Sequence, residues 1–264
     1  MTRRTGRRGP GTGVVVAVAV AVGAGALVAS GALGPDDERR GGGASPAARP
    51  TSSAASAGAP TTAPAATSRA DLDLIAAATA GDTAAVRAAL AAGADVRAVD
   101  PTGATALVRA AYGNHVDAAR ALVDAGADVN HEDSTQQSAY LIATSEIGDD
   151  VRLLDLTLAH GGDVRALDSF DGTGLIRAAH RGYPQVVDRL LAAGVAVDHV
   201  NNLGWTALLE AVILGDGGPQ HQAVVRSILA AGADRGIRDR GGLTALDHAR
   251  EKGQTEVVRL LEAG

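Results

Sequence analysis

Cysteine is absent from the 264 residues, lysine occurs once, and only five side chains are aromatic: one Trp, one Phe and three Tyr. The missing thiol excludes a cysteine nucleophile and a lipid anchor on an N-terminal cysteine, and it is in keeping with a life outside the reducing cytoplasm. There is no glycine-rich phosphate loop, and the seven histidines are spread singly. His131 stands beside Glu132 and Asp133, yet no second histidine lies at ligand spacing. That segment therefore reads as a solvated hairpin, and the lone His221 reads the same way. No catalytic residue, metal or cofactor is assigned, and an enzyme is not expected.

What is present begins with a basic head, Arg3, Arg4, Arg7 and Arg8, followed by residues 14–33 without a charge. Twenty residues at 1.5 Å each span about 30 Å, one bilayer core. Residues 1–33 read as a signal peptide, cut after Ala26 or Ser30, or as a signal anchor that stays in the membrane. Either way the arginines hold the N-terminus in the cytoplasm and the remainder is exported to the cell envelope. Residues 34–70 are rich in Pro, Ala, Ser, Thr and Gly. They hold too little apolar surface to offset ordering entropy and read as a disordered linker.

Residues 71–264 are periodic. A glycine recurs at Gly93, Gly126, Gly161, Gly194, Gly232 and Gly264, at spacings of 33, 35, 33, 38 and 32. It opens the phrase Gly93-Ala94-Asp95-Val96, repeated at Gly126-Ala127-Asp128-Val129 and in variants later. A second phrase recurs as Gly103-Ala104-Thr105-Ala106-Leu107, Gly204-Trp205-Thr206-Ala207-Leu208 and Gly242-Leu243-Thr244-Ala245-Leu246. Each period holds a turn, a short apolar segment, a break and a second apolar segment, the signature of a stacked array. Thr105, Thr206 and Thr244 are expected helix caps, and the glycines are expected in left-handed backbone where helices end. Asn114 takes that role between the helices of the second unit. Gln136 and Asp171 replace the turn glycine, and Tyr140 replaces the leucine. An insertion, residues 215–221, falls between the helices of the fifth unit. The last helix is polar (Glu251, Lys252, Gln254, Glu256, Arg259, Glu262) and reads as a cap.

The period and phrases resemble the ankyrin repeat. The resemblance implies an all-α solenoid of about six helix-turn-helix units with β-hairpin fingers, at about 71–100, 101–133, 134–168, 169–201, 202–239 and 240–264. It also implies a protein partner held on the concave surface and the finger tips, and no catalysis. Carried over to this chain, the partner-binding positions are Tyr112, Phe170, His180, Arg181, Leu203, Trp205, Ile213 and Leu243. Three of the five aromatics fall among them. One helical turn before the concave positions runs a candidate polar ladder, Arg109, Ile142, Arg177, Glu210 and His248, in which Arg177 and Glu210 are expected either to pair across the stack as a structural salt bridge or to form a polar groove that grips a charged partner segment.

Charge divides the chain. Residues 1–70 carry 8 basic and 3 acidic groups, and residues 71–264 carry 16 and 27, a net charge of −11. An acidic array is a poor partner for nucleic acid, whose affinity comes from phosphate neutralisation. The expected protein is a monomeric scaffold or adaptor outside the cytoplasmic membrane, attached to it if residues 14–33 are retained. An inhibitor or immunity-type protein masking an exported enzyme is the alternative, and an enzyme on the same scaffold the remaining class.

Overall fold

The computed structural model describes residues 68–263. The apolar segment 14–33, the linker up to residue 67 and Gly264 lie outside the described residues. Among the described residues, no helix is long and apolar enough to cross a membrane.

Among the described residues, twelve helices form six pairs: α1 (Arg69–Ala80) with α2 (Thr83–Ala91), α3 (Ala106–Tyr112) with α4 (Val116–Asp124), α5 (Ala139–Ser145) with α6 (Arg152–Ala159), α7 (Gly174–Arg181) with α8 (Pro184–Ala192), α9 (Ala207–Ile213) with α10 (Pro219–Ala230), and α11 (Ala245–Glu251) with α12 (Thr255–Glu262). Helices this short are marginal alone, so caps and stacking hold them. Thr105, Ser138, Thr173, Thr206 and Thr244 each accept the backbone amide three residues on, a contact worth about 1 kcal/mol. At the start of the array Ser68 and Asp71 form a reciprocal capping box. The first described helix therefore starts at Arg69, capped by Ser68.

The first helices of each pair stack side by side as one layer. The second helices form the other layer, with α6 and α8 approaching least closely. Ala110, Ala111, Ala178 and Ala179 are wholly buried between neighbours, which lets the first helices come close. The chain between pairs turns in a finger closed by one antiparallel bridge, as at Val99–Thr105, Leu167–Thr173 and Arg238–Thr244. The expected hairpins are thus single bridges. Asn114, Gln136 and Asp171 adopt left-handed backbone, with φ of 50°, 59° and 56°. For a side chain other than glycine this costs about 1 kcal/mol each.

Tyr140 in the leucine position is completely buried. Its neighbours have been trimmed to receive it. Gly174 opens α7 where other units have Ala106, Ala139, Ala207 or Ala245, and Gly162 stands where others have Ala94, Ala127, Val195 or Ala233. A methyl on Gly174 would lie 2.7 Å from Thr144 Cγ2 and 3.2 Å from Tyr140 Oη. One on Gly162 would lie 3.1 Å from Tyr140 Cδ2. Overpacking of this kind costs about 1–3 kcal/mol. A Gly162→Ala/Gly174→Ala variant is therefore expected to lose that much in urea denaturation. The part owed to Tyr140 and Thr144 should vanish in a Tyr140→Leu/Thr144→Ala background, leaving the contact of a Gly162 methyl with the Thr157 carbonyl at 3.0 Å, and simple additivity would refute the coupling.

Candidate partner-binding surface

Each finger is built on one side chain at its base. Asp100 Oδ1 accepts the amides of Thr102 (2.8 Å) and Ala104 (3.2 Å). Asp133 does the same for Thr135 and Gln137, and Asp168 for Phe170 and Gly172. Asn201 serves Leu203 and Trp205, and Asp239 serves Gly241 and Leu243. The side chain satisfies amides that a tight turn would otherwise leave open. Burial pushes the carboxyls of Asp100, Asp133 and Asp239 up. Hydrogen bonds from Thr102 and Arg109, from Thr135, and from Leu243 and His248 respectively outweigh it, with further bonds helping, and hold all three below the usual range.

The second carboxylate oxygen holds the ladder, nine residues later in the chain. Arg109 Nε donates to Asp100 Oδ2 at 2.7 Å, Arg177 Nη1 to Asp168 Oδ2 at 3.3 Å, and His248 Nε2 lies 2.8 Å from Asp239 Oδ2. In the third unit Ile142 cannot donate, and the hydroxyl of Tyr112 from the preceding unit fills Asp133 Oδ2 at 3.0 Å. The expected pairing of Arg177 with Glu210 is not made. Arg177 turns to the third unit and donates to Gln137 Oε1 (2.8 Å), Ser145 Oγ (3.0 Å) and Glu146 Oε1 (3.3 Å). Glu210 Oε1 instead lies 3.4 Å from His180 Nδ1. The residue missed from the sequence is the finger aspartate, whose constant nine-residue offset from the ladder was the available signal.

The histidines are not solvated singletons. His131 Nε2 lies 2.8 Å from the carbonyl of Gly103, and His199 Nε2 lies 2.7 Å from that of Asp171. Both tie a finger to the left-handed tip residue of the finger before it. His221 is mostly buried, 3.1 Å from the carbonyl of His180 and 2.9 Å from Asp216 Oδ1. The insertion 215–221 is not a free loop, because Pro219 to His221 form the first turn of α10. Gly215 accepts from Lys252 Nζ (2.8 Å) and Gln254 Nε2 (3.1 Å). These two residues were expected on the polar outer face of the last helix. Gln254 is buried, and Lys252, itself exposed, also donates to the carbonyls of Val212 and Ile213 at the end of α9.

Of the carried-over contact residues, Tyr112 and Phe170 are the exposed ones, at 41% and 49%. His180, Arg181, Leu203, Trp205, Ile213 and Leu243 are half-buried, and Trp205 and Ile213 pack against the core. Neighbouring fingers touch through their backbones: the amide of Asn202 donates to Phe170 O and that of Ser134 to Thr102 O, both at 2.9 Å.

A family model of ankyrin repeats matches residues 68–133, 140–239 and 175–264. The ankyrin repeat protein YahD of Escherichia coli (strain K12) is 38% identical over 192 residues, covering 72% of this chain and 94% of YahD. An ankyrin repeat domain from Acinetobacter baumannii AYE superposes with a TM-score of 0.69 at 44% identity, over 72% of this chain and 96% of that one. The ankyrin repeat protein EF0377 gives 0.67 at 36% identity, over 72% and 96%. A chain of the complex of the predatory endopeptidase Bd0816 from Bdellovibrio bacteriovorus with immunity protein Bd3460 gives 0.64 at 25%, over 72% and 97%.

Two outcomes follow from the ladder. Arg177 is only 11% exposed, so Arg177→Ala strands Asp168 and Glu146 and is expected to cost about 3 kcal/mol in chemical denaturation. The lowered carboxyls set the pH response. Their contribution is complete above the ordinary aspartate range, about pH 4, and is lost as pH falls through the lower folded values. The denaturation midpoint should fall between about pH 5 and pH 2, and Asp100→Asn, which keeps the turn as Asn201 does, should blunt that fall.

Proposed function

This chain belongs to the ankyrin repeat family, and on that premise we propose that it is a non-enzymatic scaffold or adaptor whose concave face and finger tips hold a protein partner outside the cytoplasmic membrane. The observation that carries the reading is the placement of Phe170 and Tyr112. A chain with five aromatics leaves two of them exposed, one on a finger tip and one at the end of a first helix. Aromatic side chains anchor interfaces because they bring large contact area at small entropic cost. Trp205 joins them as a half-buried member whose contribution is shared between the core and the partner.

The display outside the membrane rests on the basic head and apolar run of residues 1–33. Protease added to intact spheroplasts should then degrade the repeats. Protection until the membrane is broken would place them in the cytoplasm and reject export.

A second reading, an inhibitor or immunity-type protein that masks an exported enzyme, is favoured by the likeness to a chain of the Bd0816–Bd3460 complex. Both readings are tested by capture from a cell-envelope extract with the full chain as bait, beside a Phe170→Ala/Trp205→Ala variant. The expected result is one envelope protein retained by the parent and lost by the variant. Equal retention by both would reject the tips as the binding site. If the captured protein is an enzyme silenced by the array, the masking reading is the right one; an enzyme left active, or a structural envelope protein, favours the scaffold.

A further inference from the structure

Glu210 breaks the rule that every other ladder position keeps. In the other units a ladder cation is answered by the finger aspartate nine residues before it, or an apolar ladder residue leaves that aspartate to Tyr112. In the fifth unit the charges are exchanged, with Asn201 at the finger base and Glu210 on the ladder. Asn201 removes the repulsion that a second carboxylate would bring, but it supplies no positive charge.

The Glu210 side chain is 7% exposed. Oε1 is held loosely by His180 Nδ1 at 3.4 Å. Oε2 is buried and has no hydrogen-bond partner among the described residues. The nearest ladder donors are committed: Arg177 to Asp168, Gln137, Ser145 and Glu146, and His248 to Asp239. Arg181 leans on Glu146 at 3.6 Å. A buried carboxylate with an open oxygen is costly to folding, and in a native protein it calls for a partner.

We propose that Glu210 receives a guanidinium side chain of the protein partner. This rests on the reading of the concave face as the binding surface. One open oxygen beside one weakly held oxygen suits the two parallel N–H donors of arginine. The array's net charge of −11 over residues 71–264 favours the approach of a cationic segment. His180, 31% exposed in its side chain, is the residue that turns aside to admit it. Trp205 lies on the finger of the same unit and Phe170 on the finger before.

The test is an NMR titration of the full chain with Nα-acetyl-arginine amide and with its neutral isostere Nα-acetyl-citrulline amide. Thermal unfolding of Glu210→Gln is measured alongside. The expected result is a saturable shift of the His180 imidazole and the Glu210 amide with the arginine probe alone. The affinity should weaken by roughly tenfold or more in Glu210→Gln. That variant should also unfold at a higher temperature, because it removes a buried carboxylate of which one oxygen has no partner. An equal response to citrulline, the absence of saturation, undiminished binding by Glu210→Gln, or a lowered unfolding temperature in that variant would each overturn the proposal. The last outcome would mark Glu210 as a structural partner of His180. If the titration fails while the Phe170→Ala/Trp205→Ala variant still loses its envelope protein, the concave-face reading stands and only the role of Glu210 falls.

Discussion

The carboxylate at the base of each finger is the contact on which the array's inner edge depends. One of its oxygens accepts two backbone amides of its own turn, at Asp100, Asp133, Asp168 and Asp239. That bond fixes where the finger folds back and where the following threonine or serine begins a helix. The other oxygen then takes a donor from the helix it has just positioned, or from the unit before. Turn, helix start and ladder are thus one connected polar network. Such a network is stabilising only when every member is satisfied. This is why the unit that lacks the carboxylate, at Asn201, is also the one whose ladder residue is left incompletely bonded.

Stacking does the rest, and its joints are of two kinds. Inside the array the first helices meet through alanine pairs, where contact is close and apolar. At the loops the joints are polar, and backbone carbonyls are the acceptors. His131 and His199 hold successive finger tips, His221 holds the end of α7, and Lys252 with Gln254 closes the end of α9. A helix end leaves carbonyls without intrahelical partners. A lysine from the next unit satisfies two of them, at Val212 and Ile213, together with the loop carbonyl of Gly215. The chain's single lysine is therefore spent on joining the last two units, and burial among those carbonyls holds its ammonium below its ordinary range.

The fold could be read from the sequence because its determinants are local and repeated. The helix-ending glycines, the Thr-Ala-Leu phrase and Asn114 each answer a backbone requirement that only a few residue types meet, and the backbone does adopt left-handed angles at Gly93, Asn114 and Gly126. The candidate surface was legible only in outline. Opposite charges on neighbouring units suggested that Arg177 would reach Glu210. The finger aspartate of its own unit and the acidic loop of the previous one proved nearer. The joining bonds of His221, Lys252 and Gln254 had no sequence signal, since their acceptors are main-chain carbonyls that every residue carries. The trimming of Gly162 and Gly174 around Tyr140 was visible as three departures from the repeat. That they form one compensated exchange of volume required the packing.

These departures divide by their consequences. At Tyr140 an oversized residue is matched in volume by two undersized ones, although its buried hydroxyl keeps no hydrogen-bond partner among the described residues. Gln136 and Asp171 strain the backbone at finger tips, but the strain ends there, with their turns still closed by the amide-to-carbonyl bonds to Asp133 and Asp168. The fifth unit differs. Its exchange of Asp for Asn and of cation for Glu removes one repulsion and leaves a buried acceptor open. The fold alone gives no reason to keep an incompletely bonded carboxylate where Arg109 or Ile142 serves elsewhere on the ladder. His180 answers only one of its two oxygens, and a local departure of this kind is where function is sought first. Among the described residues Asn114 Oδ1, Tyr140 Oη and Gln254 Oε1 are also buried without a partner, but Glu210 alone is a carboxylate, which is why the proposal is centred on the fifth unit.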